Sequence, residues 1–255
     1  MGLRVKITKK LPHFELDVAF SCDEKNVLAL VGPSGAGKTT IIRMIAGLTR
    51  PDSGMISYND EVWFDGEKGI VRPPQERFLG FVFQDYMLFP HLNVFKNVAF
   101  AAESKDEVMR LLKLFDIWHL KDRRQHEISG GERQRCAICQ ALARKPRVLL
   151  LDEPFSALDA NTRRNLRDEL KKLRTQLAVP IIHVTHDIDE ALFLADDVLP
   201  MVNGKIVRKW MLQFMLKERN TKKRPEDDFK YGFSRYHEFD RSVLYDSLGD
   251  EKWRI

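Results

Sequence analysis

The chain has 255 residues, of which 44% are hydrophobic and 31% charged, with a formal net charge of +5 at neutral pH. That length buries a sizeable core in one large or two small domains, and the balance of residues is that of a globular, soluble protein. No run approaches the roughly 18 to 20 consecutive apolar residues of a spanning helix, MGLRVKITKK lacks the apolar stretch of a signal peptide, and basic residues alternate with acids, as in RRNLRDELKKLR. A cytoplasmic chain without a nucleic-acid surface is therefore expected.

In chain order, strand and helix patterns alternate, which predicts a mixed α/β core. FELDVAF, from Phe14 to Phe20, alternates with period two and reads as a half-buried antiparallel strand. VLALV (27–31), LGFVF (79–83), RVLLL (147–151) and PIIHVT (180–185) are short apolar runs, the pattern of strands covered on both faces. KTTIIRMIAGL predicts a helix stopped at Gly47, and ERQRCAICQALAR one that ends before Pro146. ANTRRNLRDELKKLRTQL places Leu166, Leu170, Leu173 and Leu177 on one helical face. From Asn97 to Gln125 the spacing of Val108, Leu111, Leu112 and Phe115 predicts a mostly helical lobe, about 90–145 with its flanks, inserted between two core strands. MVNGKIV reads as a hairpin, and WMLQFMLKERN as an amphipathic helix at the start of a tail.

Three cysteines, Cys22, Cys136 and Cys139, are too few and too odd in number for a disulfide framework. Cys136 and Cys139 form a C-x-x-C with no second ligand pair, on a helical pattern, so they read as small core residues and not as a metal site.

Chemistry enters with GPSGAGKTT, which follows an apolar strand and opens a helix and satisfies G-x-x-x-x-G-K-[ST]. The residues are Gly32, Pro33, Ser34, Gly35, Ala36, Gly37, Lys38, Thr39 and Thr40. Gly32, Gly35 and Gly37 let the backbone wrap an anion, Lys38 reaches β- and γ-phosphates, and the Thr39 hydroxyl suits Mg²⁺. RVLLLDEP closes a buried strand with Asp152 and Glu153, which in a parallel sheet face the same crevice. Asp152 then suits Mg²⁺, and Glu153 suits orienting or deprotonating an attacking water. Gln84 and His186 each follow a strand pattern and project into that crevice, Gln84 toward metal and water and His186 toward a γ-phosphate. HEISGGERQR leaves two readings open: Ser129, Gly130 and Gly131 are either an ordinary N-cap with a flexible turn, or an anion site made by a helix N-terminus.

The order GPSGAGKTT, VFQD, ISGGERQR, LLLDEP, SALD and VTHD resembles the nucleotide-binding subunit of ATP-binding cassette (ABC) transporters. The resemblance covers about residues 1–209 and implies a P-loop ABC-ATPase fold: a mixed β core, an antiparallel β subdomain and an inserted α-helical subdomain. It implies Walker A at Gly32 to Thr39, the Q-loop at Gln84 and the signature at Ser129, Gly130, Gly131 and Glu132. It further implies Walker B at Asp152, the catalytic glutamate at Glu153, the D-loop from Ser156 to Asp159 and the switch histidine at His186. The cofactors implied are ATP and Mg²⁺, the latter held by Thr39, Gln84 and Asp152. In this family two cassettes pair head to tail, so a homodimer is expected, with the signature of one copy on ATP held by the other.

The partners implied are integral-membrane permease subunits and, indirectly, a periplasmic or extracellular solute-binding protein, with the cassette peripheral on the cytoplasmic face of the membrane. The apolar segment DYMLFPHLNVFKN lies where the family receives a permease helix. EKGIVRPPQERFLGFVFQDYMLFPH resembles the molybdate importer ATPases, and GLTRPDSG the importers generally. The solute expected is molybdate or a related oxyanion, with sulfate, iron or polyamine as alternatives, and a non-transport ABC ATPase as a further one.

The chain departs from the family pattern in several places. Glu132 stands where glutamine is usual, and Cys139-Gln140 where a small residue and arginine are usual, which implies a lost structural hydrogen bond. The adenine-stacking aromatic falls in KKLPHF, at Phe14 or His13. Residues 210–255 are too few for a β-rich regulatory domain.

Overall fold

The computed structural model describes residues 1–156, 163–164, 167–168, 170–171 and 179–207. Asp159, most of the leucine-faced helix pattern and the tail lie outside the described residues. Two strands open the chain, β1 (Gly2–Lys10) and β2 (Glu15–Asp23), then β3 (Val27–Val31), all five of whose residues are buried. Helix α1 (Lys38–Ala46) follows, then β4 (Ser53–Tyr58), β5 (Glu61–Asp65), β6 (Ile70–Val71) and β7 (Leu79–Val82). A helical segment holds α2 (Val94–Ala99), α3 (Lys105–Leu114) and α4 (Gly130–Leu142). The chain returns through β8 (Val148–Asp152), β9 (Ile181–Thr185), α5 (Ile188–Leu194), β10 (Asp197–Val202) and β11 (Lys205–Ile206).

Among the described residues the strands form one sheet, ordered β6-β5-β4-β1-β2-β11-β10-β3-β9-β8-β7. The β10-β3-β9-β8-β7 half is parallel throughout, and β1, β2, β4, β5 and β6 pair antiparallel. Period-two alternation then sorts side chains by face. On β8, Leu149 and Leu151 join α2, α3 and α4 in one core, while Val148 and Leu150 join α1 and the antiparallel strands in the other.

Two expectations need correction. LGFVF is not covered on both faces: β7 ends the sheet, so Leu79 and Phe81 stay half-exposed while Gly80 and Val82 are buried. The helical lobe is also more broken than its pattern suggests, with 3₁₀ turns at Trp118–Leu120 and Gln125–Glu127 between α3 and α4. Asn93 and Ser104 each accept from the backbone N–H three residues on, which starts α2 and α3 as separate helices.

Gln140, where the resemblance implied a lost hydrogen bond, supplies one of its own: its Nε2 donates to Asn97 O at 3.2 Å and ties α4 to α2. Cys136 is buried against α2 and Cys139 against α3, and burial pushes the Cys136 thiol up to about 12.

Arg77 joins the antiparallel strands to α1. Its side chain is buried and, among the described residues, meets no carboxylate; its guanidinium donates to Met44 O (2.9 Å), Ile45 O (2.7 Å), Arg72 O (2.9 Å) and Trp63 O (3.4 Å). A cation on the last carbonyls of a helix also meets the negative end of its dipole. Burial pushes the guanidinium down to about 10, still above neutral pH, so the charge is kept. Gly47 ends α1 at φ +79, and a Cβ there would stand 2.9 Å from the Arg77 guanidinium carbon, so the close approach requires glycine. Arg77→Met is expected to lower stability by roughly 3 kcal/mol, because the helix-end carbonyls lose a charged donor. Arg77→Lys should recover less than half of that, since an ammonium cannot reproduce the planar fork. Urea unfolding of the three proteins checks both values.

Candidate functional site

Parallel pairing of β3, β9, β8 and β7 sets their carboxyl ends side by side, and the segments that leave those ends carry the polar residues singled out from the sequence. β3 leads into Gly32 to Gly37, β9 into His186, β8 ends on Asp152 and leads into Glu153, and Gln84 stands exposed two residues past β7. Adjacent strands lie about 4.8 Å apart, so strand order alone brings these four segments into one row.

The loop after β3 is held by its glycines. At Gly32 a Cβ would meet Met201 O at 2.2 Å, so only glycine lets the loop start against β10. Gly35 (φ +82) and Gly37 (φ +98) take left-handed conformations, and Ala36 accepts from Gly204 N at 3.1 Å. Pro33, Ser34 and Gly35 are exposed at the tip, and Thr40 is half-buried in the first turn of α1. Phe14 packs on this loop, its ring 3.5 Å from where a Gly37 Cβ would stand, whereas His13 is exposed.

Lys38 is buried, and its ammonium donates to Gly32 O at 2.8 Å and Pro33 O at 3.0 Å. Desolvation pushes its pKa down, against the pull of Glu153 and Asp152. Asp152 shows the converse: burial pushes its carboxyl up, opposed by the hydrogen bond from Thr39 Oγ1 to Oδ1 at 2.9 Å. Two buried groups of opposite charge, each destabilised by loss of water, thus stand at one end of the sheet.

Glu153 has φ +45, an uncommon conformation for a residue with a side chain. Its N–H donates to Val184 O at 2.9 Å, and its own carbonyl accepts from the Ser156 hydroxyl at 2.9 Å. The twist aims the carboxylate at the neighbouring strand end, where His186 Nδ1 lies 3.1 Å from Glu153 Oε2. Sequence patterning carries no signal of this strain. After Gln84, Tyr86 and Met87 also take positive φ, so the chain turns sharply there.

Ser129, Gly130, Gly131 and Glu132 stand apart from this row. They open α4, where Glu132 N donates to Ser129 Oγ at 3.3 Å and Ser129 N donates to Glu132 Oε2 at 2.7 Å, a reciprocal cap. The N-cap reading is therefore realised locally. Among the described residues, the hydrogen bonds of the Ser129 and Glu132 side chains stay within this first turn.

Thr39 Oγ1 and Asp152 Oδ1 are hard oxygen donors already within hydrogen-bond distance of each other, which fits Mg²⁺. Among the described residues no group of three or more His, Cys, Asp and Glu side chains gathers elsewhere to form a metal cage.

Residues 16–156 match the ABC transporter family model. The chain is 42% identical over 226 residues to the molybdate/tungstate import ATP-binding protein WtpC of Archaeoglobus fulgidus, covering 86% of this chain and 91% of that one. It is 43% identical over 212 residues to a probable sulfate/thiosulfate import ATP-binding protein CysA of Chlorella vulgaris, covering 79% and 87%. Among solved structures, the dimeric post-hydrolysis state of the ATP-binding cassette MJ0796, bound to ADP and Pi, superposes with a TM-score of 0.66 at 27% identity, covering 81% and 97%. The chain belongs to the ABC transporter family, and its fold is that of the family's ATP-hydrolysing cassette.

Proposed function

We propose that this chain is the ATP-binding and ATP-hydrolysing subunit of an importer for molybdate, tungstate or a related oxyanion. The observation that carries hydrolysis is the contact of Glu153 with His186 beside the Lys38 loop and the Thr39–Asp152 pair. The identity to WtpC supports the oxyanion, and that to CysA keeps sulfate as the second reading.

In this reading the backbone N–H groups from Ser34 to Thr39 cradle the phosphates and the Lys38 ammonium exchanges two loop carbonyls for the β- and γ-oxygens. Thr39, Asp152 and Gln84 hold Mg²⁺, which when bound neutralises charge on those oxygens. Glu153 orients the attacking water and takes its proton, while His186 donates to the γ-phosphate opposite. Ser129, Gly130 and Gly131 act on the nucleotide of a second copy, and Asp159, outside the described residues, belongs to the same dimer contact.

No helix among the described residues is long and apolar enough to cross a membrane. Attachment to the membrane falls to permease subunits, and the patch of Met87 (61% exposed), Phe100 (70% exposed) and Phe89, whose ring lies 4.7 Å from that of Phe100, offers them an apolar surface. Met87 and Phe89 belong to the segment that follows Gln84, and Phe100 packs on Phe89 from the end of α2. The reading takes 1–209 as the cassette and 210–255 as an extension.

Glu153→Gln is expected to bind ATP as wild type does, to hydrolyse it about 10² to 10⁴ times more slowly and to accumulate a nucleotide-bound dimer. Wild-type turnover in that variant removes Glu153 from the mechanism. Ser129→Arg should leave ATP affinity within about twofold in titrations, yet lose dimer-dependent hydrolysis, because its contact lies across the pair. An equal loss of binding by the isolated chain would mean that Ser129 serves only its own helix. The solute is tested by uptake: cells with this chain and its permease should accumulate labelled molybdate, excess tungstate should compete and excess sulfate should not. Competition by sulfate alone would favour the second reading.

A further inference from the structure

His186 is the single residue between Thr185, which ends β9, and Asp187, the N-cap of α5. Both flanks of that corner are pinned. Asp187 N donates to Thr185 Oγ1 at 3.0 Å, and Glu190 N donates to Asp187 Oδ1 at 3.0 Å. Behind them His183 of β9 and Glu190 of α5, with side chains only 1% and 5% exposed, meet with Nε2 donating to Oε1 at 2.6 Å. The other ring nitrogen, Nδ1, is buried with no partner among the described residues. The ring of Phe155, two residues beyond Glu153, packs on His183 with centroids 5.9 Å apart.

The surroundings make this pair unusual. Every residue of β9 is buried, with Ile181, Ile182 and Val184 as its apolar members, and apolar side chains would join strand and helix without desolvating a carboxylate. A buried polar pair, unlike an apolar one, is satisfied in one arrangement only. It therefore sets how the first turn of α5 sits on β9, and the residue caught between them is His186.

We propose that His183 and Glu190 are positioning residues for His186: their buried hydrogen bond closes the strand-to-helix corner so that the His186 imidazole stands against Glu153. Phe155 couples the same pair to the segment that carries Glu153. The proposal rests on the role given above to His186 in hydrolysis.

The test is a mutant cycle on the full chain, with Glu190→Leu and Glu190→Gln each made alone and with His186→Ala. Steady-state hydrolysis and ATP titration are the readouts. Glu190→Leu should lower kcat about tenfold with KM for ATP within about twofold, and Glu190→Gln, which keeps the shape and a weaker acceptor, about threefold. His186→Ala should itself lower kcat, and neither Glu190 variant should lower it further by more than about 1.5-fold, since each acts only through the imidazole. Wild-type kcat in both Glu190 variants, or the same loss with and without His186, overturns the proposal in favour of a purely structural bond. If Glu190→Leu does not fold, the near-isosteric Glu190→Gln carries the same comparison. If His186→Ala alone hydrolyses ATP like wild type, the assigned role of His186 fails first, a result that needs no Glu190 variant.

Discussion

The parallel register of β3, β9, β8 and β7 is the constraint on which the rest depends. Each strand contributes little alone: a loop, a histidine, two acids and a glutamine sit on segments that are far apart in the chain. Parallel pairing forces all four to leave the sheet on one side, and the strand order puts His186 between the Lys38 loop and the acids. Connections between parallel strands must be long, so the helical segment between β7 and β8 adds structure without disturbing the row. The antiparallel strands act from behind, through Arg77, on the far end of the helix whose first residues are Lys38 and Thr39.

Electrostatics at that row are balanced and incomplete. Lys38 and Asp152 are each pushed toward neutrality by burial and each held charged by opposite neighbours. The ammonium is folded back on two carbonyls of its own loop, Gly32 O and Pro33 O, which replace part of the hydration that burial removes. In the proposed reading a triphosphate offers this ammonium stronger acceptors than those carbonyls do. Glu153, held at positive φ, keeps its carboxylate near His186 at a conformational cost that the surrounding hydrogen bonds must offset.

Much of this was legible in the sequence, for reasons that differ by element. Unbroken apolar runs located β3, β8 and β9 almost to the residue, because strands buried on both faces leave no room for polar positions. β1 went unread although Leu3, Val5 and Ile7 alternate with Arg4, Lys6 and Thr8, since its partners lie elsewhere in the chain. β4 and β5 are short, and their identity depends on pairing, β4 with β1 and β5 with β4. The glycine and lysine pattern of the loop was explicit, because backbone wrapping demands those residue types. The φ of Glu153 and the His183–Glu190 bond left no trace, being products of tertiary packing. Asp187 was readable in principle, since Asp-x-x-Glu before an apolar run marks a helix start.

In the proposed reading Ser129 serves two purposes. Its hydroxyl accepts from Glu132 N, which satisfies its own helix, yet a hydroxyl has a proton left to donate and a second lone pair. The first turn of α4 likewise starts with two glycines, Gly130 half-exposed and Gly131 buried, whose N–H groups have no acceptor one turn earlier within the helix. Glu132 works against anion binding, since its carboxylate bonds Ser129 N and places a negative charge at the positive end of the helix. This N-terminus is therefore a weak anion site by itself. A phosphate that is already bound elsewhere, and is delivered at high local concentration on a second copy, does not need a strong one. In the proposed reading, weakness of the isolated half-site is the property that keeps hydrolysis tied to pairing.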